Sequence, residues 1–220
     1  MRSIVGSIGL VIVVVGGVGG SVAGLGACGG DKQQVPAGKA PASGTPTAAT
    51  STAPAPAVDA AAEGPRVVGE LKRRLVGRLT EALKVSPASA IEVCNTEAPA
   101  IAAGLATGGV TVGRATRKPR NPANLAAGWQ AEALAAFEQR AQAGTLAGAT
   151  WTKTLPDGST AYAEPLVIQP LCVTCHGPAD ALAPDVAQAL AARYPADQAT
   201  GYAPGELRGI AWAAIPPRPR

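Results

Sequence analysis

Apolar residues recur every three or four positions from Val68 to Leu83, which is the spacing of a single buried helix face. Pro65 can occupy the first position of a helix, where no backbone N–H is needed. Pro87 ends the pattern, because proline within a helix removes a hydrogen bond and clashes with the preceding turn. The pattern therefore predicts an amphipathic helix from Pro65 to the residue before Pro87.

A second helix is predicted to begin directly after the first. Ser86 and Pro87 match a helix cap followed by a first-position proline. Alternating spacings of three and four residues then separate the apolar positions Ile91, Cys94, Ala98, Ile101 and Leu105. Cys94 is therefore expected on the inward face of this helix. Pro99 should kink it, because proline removes a donor to the carbonyl of Asn95.

The second half of the chain contains the segments that predict strands. These segments span residues 110–116, 150–155, 159–168 and 207–215, and the middle two should form a hairpin around Pro156, Asp157 and Gly158. Helices are predicted over residues 125–143 and 184–193. The expected fold class is α+β, with an antiparallel sheet of about four to five strands and flanking helices.

The N-terminal residues have the pattern of an export signal. Arg2 precedes an uncharged apolar stretch, and the sequence from Leu25 to Cys28 resembles a bacterial lipobox. We expect residues 1–27 to be a signal peptide and Cys28 to carry the lipid anchor, since several acyl chains hold a protein stably on a membrane. An uncleaved transmembrane anchor and simple secretion are the alternatives. The residue after Cys28 is Gly29 and not the aspartate that retains lipoproteins in the inner membrane. A periplasm-facing position on the outer membrane is therefore favoured.

Residues 28–65 are predicted to be a linker that follows the lipidated cysteine. From Asp31 to Pro65 the chain is rich in proline and alanine and has no leucine, isoleucine or aromatic residue. Such a segment cannot bury enough apolar surface to offset the loss of chain entropy. The globular domain is therefore expected to comprise residues 66–220.

Charge and composition exclude one class of partner and hint at a cofactor. The formal net charge of +4 is too small, over 220 residues, to indicate nucleic-acid binding. Aromatic residues make up only 3% of the chain, although they normally supply much of the buried area of a core. A buried haem would supply some of that missing apolar volume.

Cys172, Cys175 and His176 form a C-x-x-C-H motif, the attachment signature of c-type haem. Two thiols separated by two residues reach the two vinyl groups on one porphyrin edge, and the adjacent histidine then lies beneath the iron. A redox dithiol or half of a zinc site are the alternatives. One motif predicts one covalently bound haem c, held by Cys172 and Cys175 with His176 as an iron ligand.

The candidates for the sixth iron ligand can be reduced by elimination. His176 is the only histidine and Met1 the only methionine, so neither a second histidine nor a methionine of the mature chain can serve. The candidates left open are Cys94, water, a tyrosine, no ligand at all, or one of the lysines Lys72, Lys84, Lys118 and Lys153.

The order of these signals resembles a family of exported PAS-like c-type haem domains, long catalogued as a domain of unknown function. The matching stretches are residues 90–94, 120–124, 162–165, 172–177, 194–197, 201–202 and 205–209. The resemblance implies a PAS-like sheet with flanking helices. It also implies axial ligation by His176 and Cys94.

Four basic residues lie close together before the predicted helix at 125: Arg114, Arg117, Lys118 and Arg120. Arginine binds carboxylates well, so at least one should contact a haem propionate, and Arg120 is the favoured residue. A solvated loop or a face towards anionic lipid is the alternative. Asn121 and Asn124 are expected to shape the turn and cap the next helix.

The predicted function is a redox or gas sensor module without catalysis of its own. It would act on a separate signalling protein, with a diatomic gas as possible ligand and no nucleic-acid partner. A low-potential periplasmic electron carrier with its own redox partner is the first alternative. A haem peroxidase-like or nitrite-reducing enzyme is the second, and it would need a distal acid–base group such as Glu92 or Glu97.

Overall fold

The computed structural model describes residues 59–217. The predicted signal peptide, the predicted lipidation site Cys28 and the predicted linker up to residue 58 lie outside the described residues. Within the described part of the chain, no helix is long and apolar enough to cross a membrane.

Six α-helices and four strands are described between these limits. The helices are α1 (Ala60–Val85), α2 (Pro87–Glu92), α3 (Ala98–Leu105), α4 (Trp129–Gln142), α5 (Val173–His176) and α6 (Pro184–Arg193). The strands are β1 (Thr111–Ala115), β2 (Trp151–Thr154), β3 (Thr160–Val167) and β4 (Leu207–Ile215). They form one antiparallel sheet in the order β1-β4-β3-β2, so the α+β class with flanking helices is confirmed.

Helix α1 begins earlier than the sequence pattern predicted. Asp59 is its N-cap and accepts a hydrogen bond from the Ala61 N–H, so Pro65 lies inside the helix and not at its first position. The three alanines that precede Glu63 favour helix strongly. Gly64 packs so closely on Tyr162 of β3 that the sheet also holds this turn. The predicted start at Pro65 was therefore wrong.

The second predicted helix is interrupted at the position of Cys94. Ser86 caps α2 through its side chain, as predicted, and accepts a hydrogen bond from the Ser89 N–H. Residues Val93–Glu97 then form a π-helical turn, in which the Ala98 N–H donates to the Val93 carbonyl. Pro99 was predicted to kink this helix, and the π-helical turn is the irregularity observed. It arises because the proline has no N–H to continue the regular α-helical hydrogen bonds.

Helix α4 begins later than predicted, at Trp129 and not at residue 125. Leu125 instead forms a bridge with Thr116, and Gly128, at a φ of 51°, makes the turn into the helix. Asn124 lies in a 3₁₀ turn and does not cap α4, so that prediction was wrong. Asn121 does shape its turn, because its side chain accepts a hydrogen bond from the Ala123 N–H.

Alternate residues of the central strand β4 face two different helical layers. Ala211, Ala213 and Ile215 are buried in a cluster with α1, whereas Ile210 is buried in a cluster with α4. A third cluster joins Ile91 of α2 to α6 and Cys175. The C-x-x-C-H motif therefore lies beside α2 and α6, and α2 in turn packs on α1.

Candidate functional site

The C-x-x-C-H motif occupies slightly more than one turn of helix. A 3₁₀ turn, Pro170–Cys172, leads directly into α5, which ends at His176. Gly177 closes α5 by donating its N–H to the Val173 carbonyl at 2.9 Å. A Cβ at Gly177 would lie 2.6 Å from the same carbonyl oxygen, so a glycine is needed there.

His176 is held in one orientation by the segment that follows α6. Its Nδ1 lies 2.7 Å from the Ala199 carbonyl, and its ring meets the Tyr202 ring edge-on at 6.4 Å. The Nδ1 contact with a carbonyl fixes the proton on Nδ1 and leaves Nε2 with a free lone pair. Burial, reinforced by Arg120 and Arg208, lowers the pKa of His176 to about 3. The imidazole is therefore neutral at neutral pH, as a metal ligand must be.

Arg120 lies at the site but is bound by protein acceptors. Its Nε donates to Asp197 at 3.0 Å, and its Nη2 donates to the carbonyls of Cys175 and Ala199. The two side chains of the ion pair are 8% and 12% exposed, so the pair is buried. Arg120 thus ties the attachment motif to the segment that orients His176.

Cys94 lies on the π-helical turn and is half-buried. It lines two of the same cavities as His176. Cys94, Cys172 and Cys175 are all free thiols. Burial raises the pKa of the Cys175 thiol, whereas a redox dithiol of the thioredoxin kind needs a lowered one.

The other candidates for the sixth ligand have partners of their own. Lys72 lines a cavity between α1 and β3 but is paired with Glu164 at 2.8 Å. Lys84 contacts Glu81, Lys118 donates to the Thr200 carbonyl, and Lys153 contacts Glu132. Burial raises the pKa of Tyr194 to about 12, so its hydroxyl stays protonated and is a poor ligand.

Three cavities share His176 in their lining. The largest, of about 630 Å³, lies between α1 and β3 and is lined by leucines of α1 and by Cys172. This volume is in the range of about 300–1,000 Å³ that suits a cofactor-sized ligand. Within residues 59–217, no group of three or more His, Cys, Asp or Glu side chains is placed to hold a metal ion.

The two smaller cavities differ in polarity. One is lined by Leu79, Leu83, Ile91 and Leu171 together with Cys172 and Cys175. The other is lined by Arg114, Arg120, Arg208, Asn121 and Asn124, and neither Cys172 nor Cys175 belongs to it. Both include Cys94 and His176. The arrangement therefore fits a large amphiphilic group whose apolar edge lies at the cysteine pair.

Several residues of the site could not be found by sequence reasoning. Asp197, Ala199, Tyr202 and Arg208 act through contacts with segments distant in the chain. The stretches that carried the family resemblance include Asp197, Tyr202 and Arg208, but no local motif gave them a role.

Comparison with known proteins identifies the family and the fold. A family model described as Tll0287-like matches residues 43–216. The crystal structure of the cyanobacterial heme-protein Tll0287 aligns with a TM-score of 0.50 and 23% identity, covering 69% of this chain and 91% of that chain. No curated protein matches the sequence. The resemblance to PAS-like haem domains is thereby confirmed for the family and for the fold.

Proposed function

The chain belongs to the Tll0287-like family, and we propose that it is a mono-haem c-type protein that serves as a redox or gas sensor in the bacterial cell envelope. One observation carries the proposal. A neutral His176 with a free Nε2 and the thiol of Cys94 line the same cavities, beside the attachment cysteines Cys172 and Cys175.

Covalent attachment requires both thiols of α5 and its preceding turn to face one edge of the cofactor. Cys172 and Cys175 line the same apolar cavity, which leucines from α1 enclose. Each thiol would add to one vinyl group, and the apolar walls would exclude water from that edge. His176 follows immediately and would ligate through Nε2, because Nδ1 is engaged by the Ala199 carbonyl.

Cys94 would be the sixth iron ligand. Its release would be the change by which the site responds to reduction or to a gas. When bound, the haem would supply a one-electron couple and, once Cys94 has withdrawn, a position for a diatomic gas. A thiolate donates electron density to iron more strongly than a thiol does, so protonation of Cys94 at Sγ would weaken its bond to the iron. The π-helical turn that carries Cys94 is a feature found often at functional sites.

An enzymatic role would need an acid–base group next to the iron. The two carboxylates that the sequence offered are engaged on the surface, since Glu92 pairs with Arg193 at 2.9 Å and Glu97 with Arg78 at 2.6 Å. Glu164 does line the largest cavity, but it accepts hydrogen bonds from Lys72 and Tyr162. These contacts support the proposal of a protein without catalysis of its own. Its proposed partner is a separate signalling protein.

Substitution of the proposed sixth ligand tests the ligand set. Cys94→Ala should retain covalent haem but change the ferric low-spin EPR spectrum, because a thiolate ligand is lost. Thr96→Ala is the matched control: it changes the same turn at an exposed position whose hydroxyl donates only to the Glu92 carbonyl. An unchanged spectrum for Cys94→Ala would reject Cys94 as a ligand.

Binding of carbon monoxide separates the sensor from the electron carrier, which is the second candidate. A sensor should bind the gas in its reduced form, because Cys94 withdraws. A carrier should stay six-coordinate in both oxidation states and leave the optical spectrum unchanged under carbon monoxide.

The anchor is tested at Cys28, which is proposed to hold the chain on the periplasmic side of the outer membrane. Cys28→Ser should release the protein from membranes into the soluble fraction, since the acyl chains are attached through this residue. Membrane association that persists without acylation would support an uncleaved transmembrane segment.

A further inference from the structure

The cavity lined by arginines carries more positive charge than the protein neutralises. Arg114, Arg120 and Arg208, here called the arginine cluster, all line it together with Asn121 and Asn124. Arg120 is neutralised by the buried Asp197. No carboxylate lines this cavity, and Glu164, the carboxylate of the adjoining larger cavity, is neutralised by Lys72.

Arg208 is a half-buried cation with neutral partners. Its Nη1 donates to the Thr116 hydroxyl at 2.9 Å and to the Lys118 carbonyl at 3.0 Å, and its guanidinium lies over the Tyr202 ring. Burial lowers the pKa of Arg208, and the positive charges of Arg120 and Arg114 lower it further. Desolvation of a cation that has no counter-charge is costly, so the surroundings of Arg208 would favour an anionic group.

Arg114 extends from β1, and within the described part of the chain its side chain makes no hydrogen bond or ion pair. The residue opposite it in the sheet is Ala211 of β4, so the sheet supplies no acidic neighbour at that point. Arg114 lines both the cavity of the arginine cluster and the larger cavity. Its guanidinium fork is therefore available to a carboxylate held in either of them.

We propose that Arg114 and Arg208 bind the two haem propionates, and that Arg120 instead braces the polypeptide. This inference rests on the proposed haem function. Two uncompensated guanidinium groups match the two carboxylates of one haem. Both cysteines line the apolar cavity, which includes neither Arg114 nor Arg208, and neither cysteine lines the cavity of the arginine cluster. The larger cavity connects Cys172 with both arginines. A haem fastened at the cysteine pair would therefore extend its propionate edge towards Arg114 and Arg208.

The test compares Arg114→Gln and Arg208→Gln with a control from the same basic segment. Arg117→Gln is the control, because Arg117 is exposed and pairs with Glu138 at 2.6 Å outside this cavity. Arg208→Lys keeps the charge, and Arg114→Gln breaks no hydrogen bond, so at least one informative variant should fold. Haem content is verified first by intact mass and by the pyridine haemochrome spectrum.

The readout is the reduction potential of the holoprotein as a function of pH. Arg114→Gln and Arg208→Gln should each lower the potential, because removing a nearby cation stabilises the ferric form. Each should also raise the pKa of one propionate, so that the potential falls with pH in the acid-to-neutral range, where the wild-type potential stays flat. Arg208→Lys should preserve most of the wild-type behaviour.

Potentials and pH profiles that match those of Arg117→Gln would overturn the assignment of Arg114 and Arg208. In that case the covalent haem would still be present, and the proposed function would stand. A wild-type chain that carries no haem would overturn the proposed function first, and this inference with it.

Discussion

Among single residues, Arg120 joins three segments of the site that are distant in the chain. It bonds to Asp197, 77 residues further along the chain, and to the carbonyls of Cys175 and Ala199. Asp197 in turn accepts a hydrogen bond from the Ala199 N–H at 2.7 Å. Ala199, whose carbonyl orients His176, is therefore held by both members of one buried ion pair: Arg120 donates to its carbonyl and Asp197 accepts from its N–H.

Loss of Arg120 should destabilise the fold strongly. Arg120→Ala leaves Asp197 buried without a counter-charge, and the expected loss is about 3–5 kcal/mol of unfolding free energy. The matched variant Arg117→Ala removes an exposed ion pair and should cost about 0–1 kcal/mol. Urea denaturation measures both values. Equal losses would show that the Arg120–Asp197 pair does not brace the site.

The sequence identified the residues of the site that form local motifs and missed those that act at a distance. Cys172, Cys175 and His176 are adjacent in the chain, so their spacing alone predicts the site. Arg120 was expected on a propionate, and the structure instead gives its guanidinium three protein acceptors. Those partners come from segments 55 to 79 residues away, which no local pattern shows.

Among the elements, α1 shows how one close contact fixes the position of a helix on the sheet. Gly64 lies against Tyr162 with room only for a hydrogen: a Cβ there would lie 2.7 Å from the tyrosine side chain. Gly77, in the same helix, has no atom within 4 Å of the corresponding position. Substitution of Gly64 therefore tests the packing of α1 on β3, whereas substitution of Gly77 tests helix propensity alone.

The two substitutions should have opposite effects. Gly64→Ala should destabilise the protein by about 1–3 kcal/mol, because overpacking forces α1 away from β3. Gly77→Ala should stabilise it by about 0.5–1 kcal/mol, because alanine favours an exposed helix position. Urea unfolding of each variant gives the comparison. A neutral or stabilising result for Gly64→Ala would contradict the packing of α1 on Tyr162.

Elements with clear end signals were predicted well. The bounds of α6 and β4 agree with the prediction to the residue, since Pro184 starts the helix and alternation marks the strand. The starts of α1 and α4 were wrong, because they depend on Asp59 as a cap and on the turn at Gly128. Neither feature stands out from a sequence rich in alanine and glycine.

At the scale of the whole molecule, the sheet separates the face of the proposed haem site from the face that packs on α4. Tyr162 and Glu164 of β3 lie on the side of α1, where Tyr162 donates a hydrogen bond to Glu164 at 2.9 Å. On the other side, Trp129 stacks on Trp151 at 6.0 Å and meets Trp212 edge-on at 5.5 Å. The aromatic residues thus pack on the face opposite the proposed haem site.

The buried tyrosines give the folded state a dependence on alkaline pH. Burial, helped by the hydrogen bond to Glu164, raises the pKa of Tyr162 above its ordinary value of 10.0. The unfolded chain therefore loses this proton first, and stability falls as the pH rises above about 10, by up to about 1.4 kcal/mol per pH unit. Tyr162→Phe should flatten this fall, as followed by urea unfolding across that range. An unaltered slope would contradict the burial of the Tyr162 hydroxyl.

Attachment of one haem at Cys172 and Cys175 is the central claim, and intact mass with the optical spectrum tests it most directly. The full chain is produced in a bacterial host with and without cytochrome c assembly, alongside a variant in which both cysteines are alanine. We expect the wild-type chain from the competent host to gain the mass of one haem and a Soret band that survives acid–acetone extraction, and the double variant to gain neither. A wild-type mass equal to that of the processed, lipidated polypeptide, without a Soret band, would contradict the account.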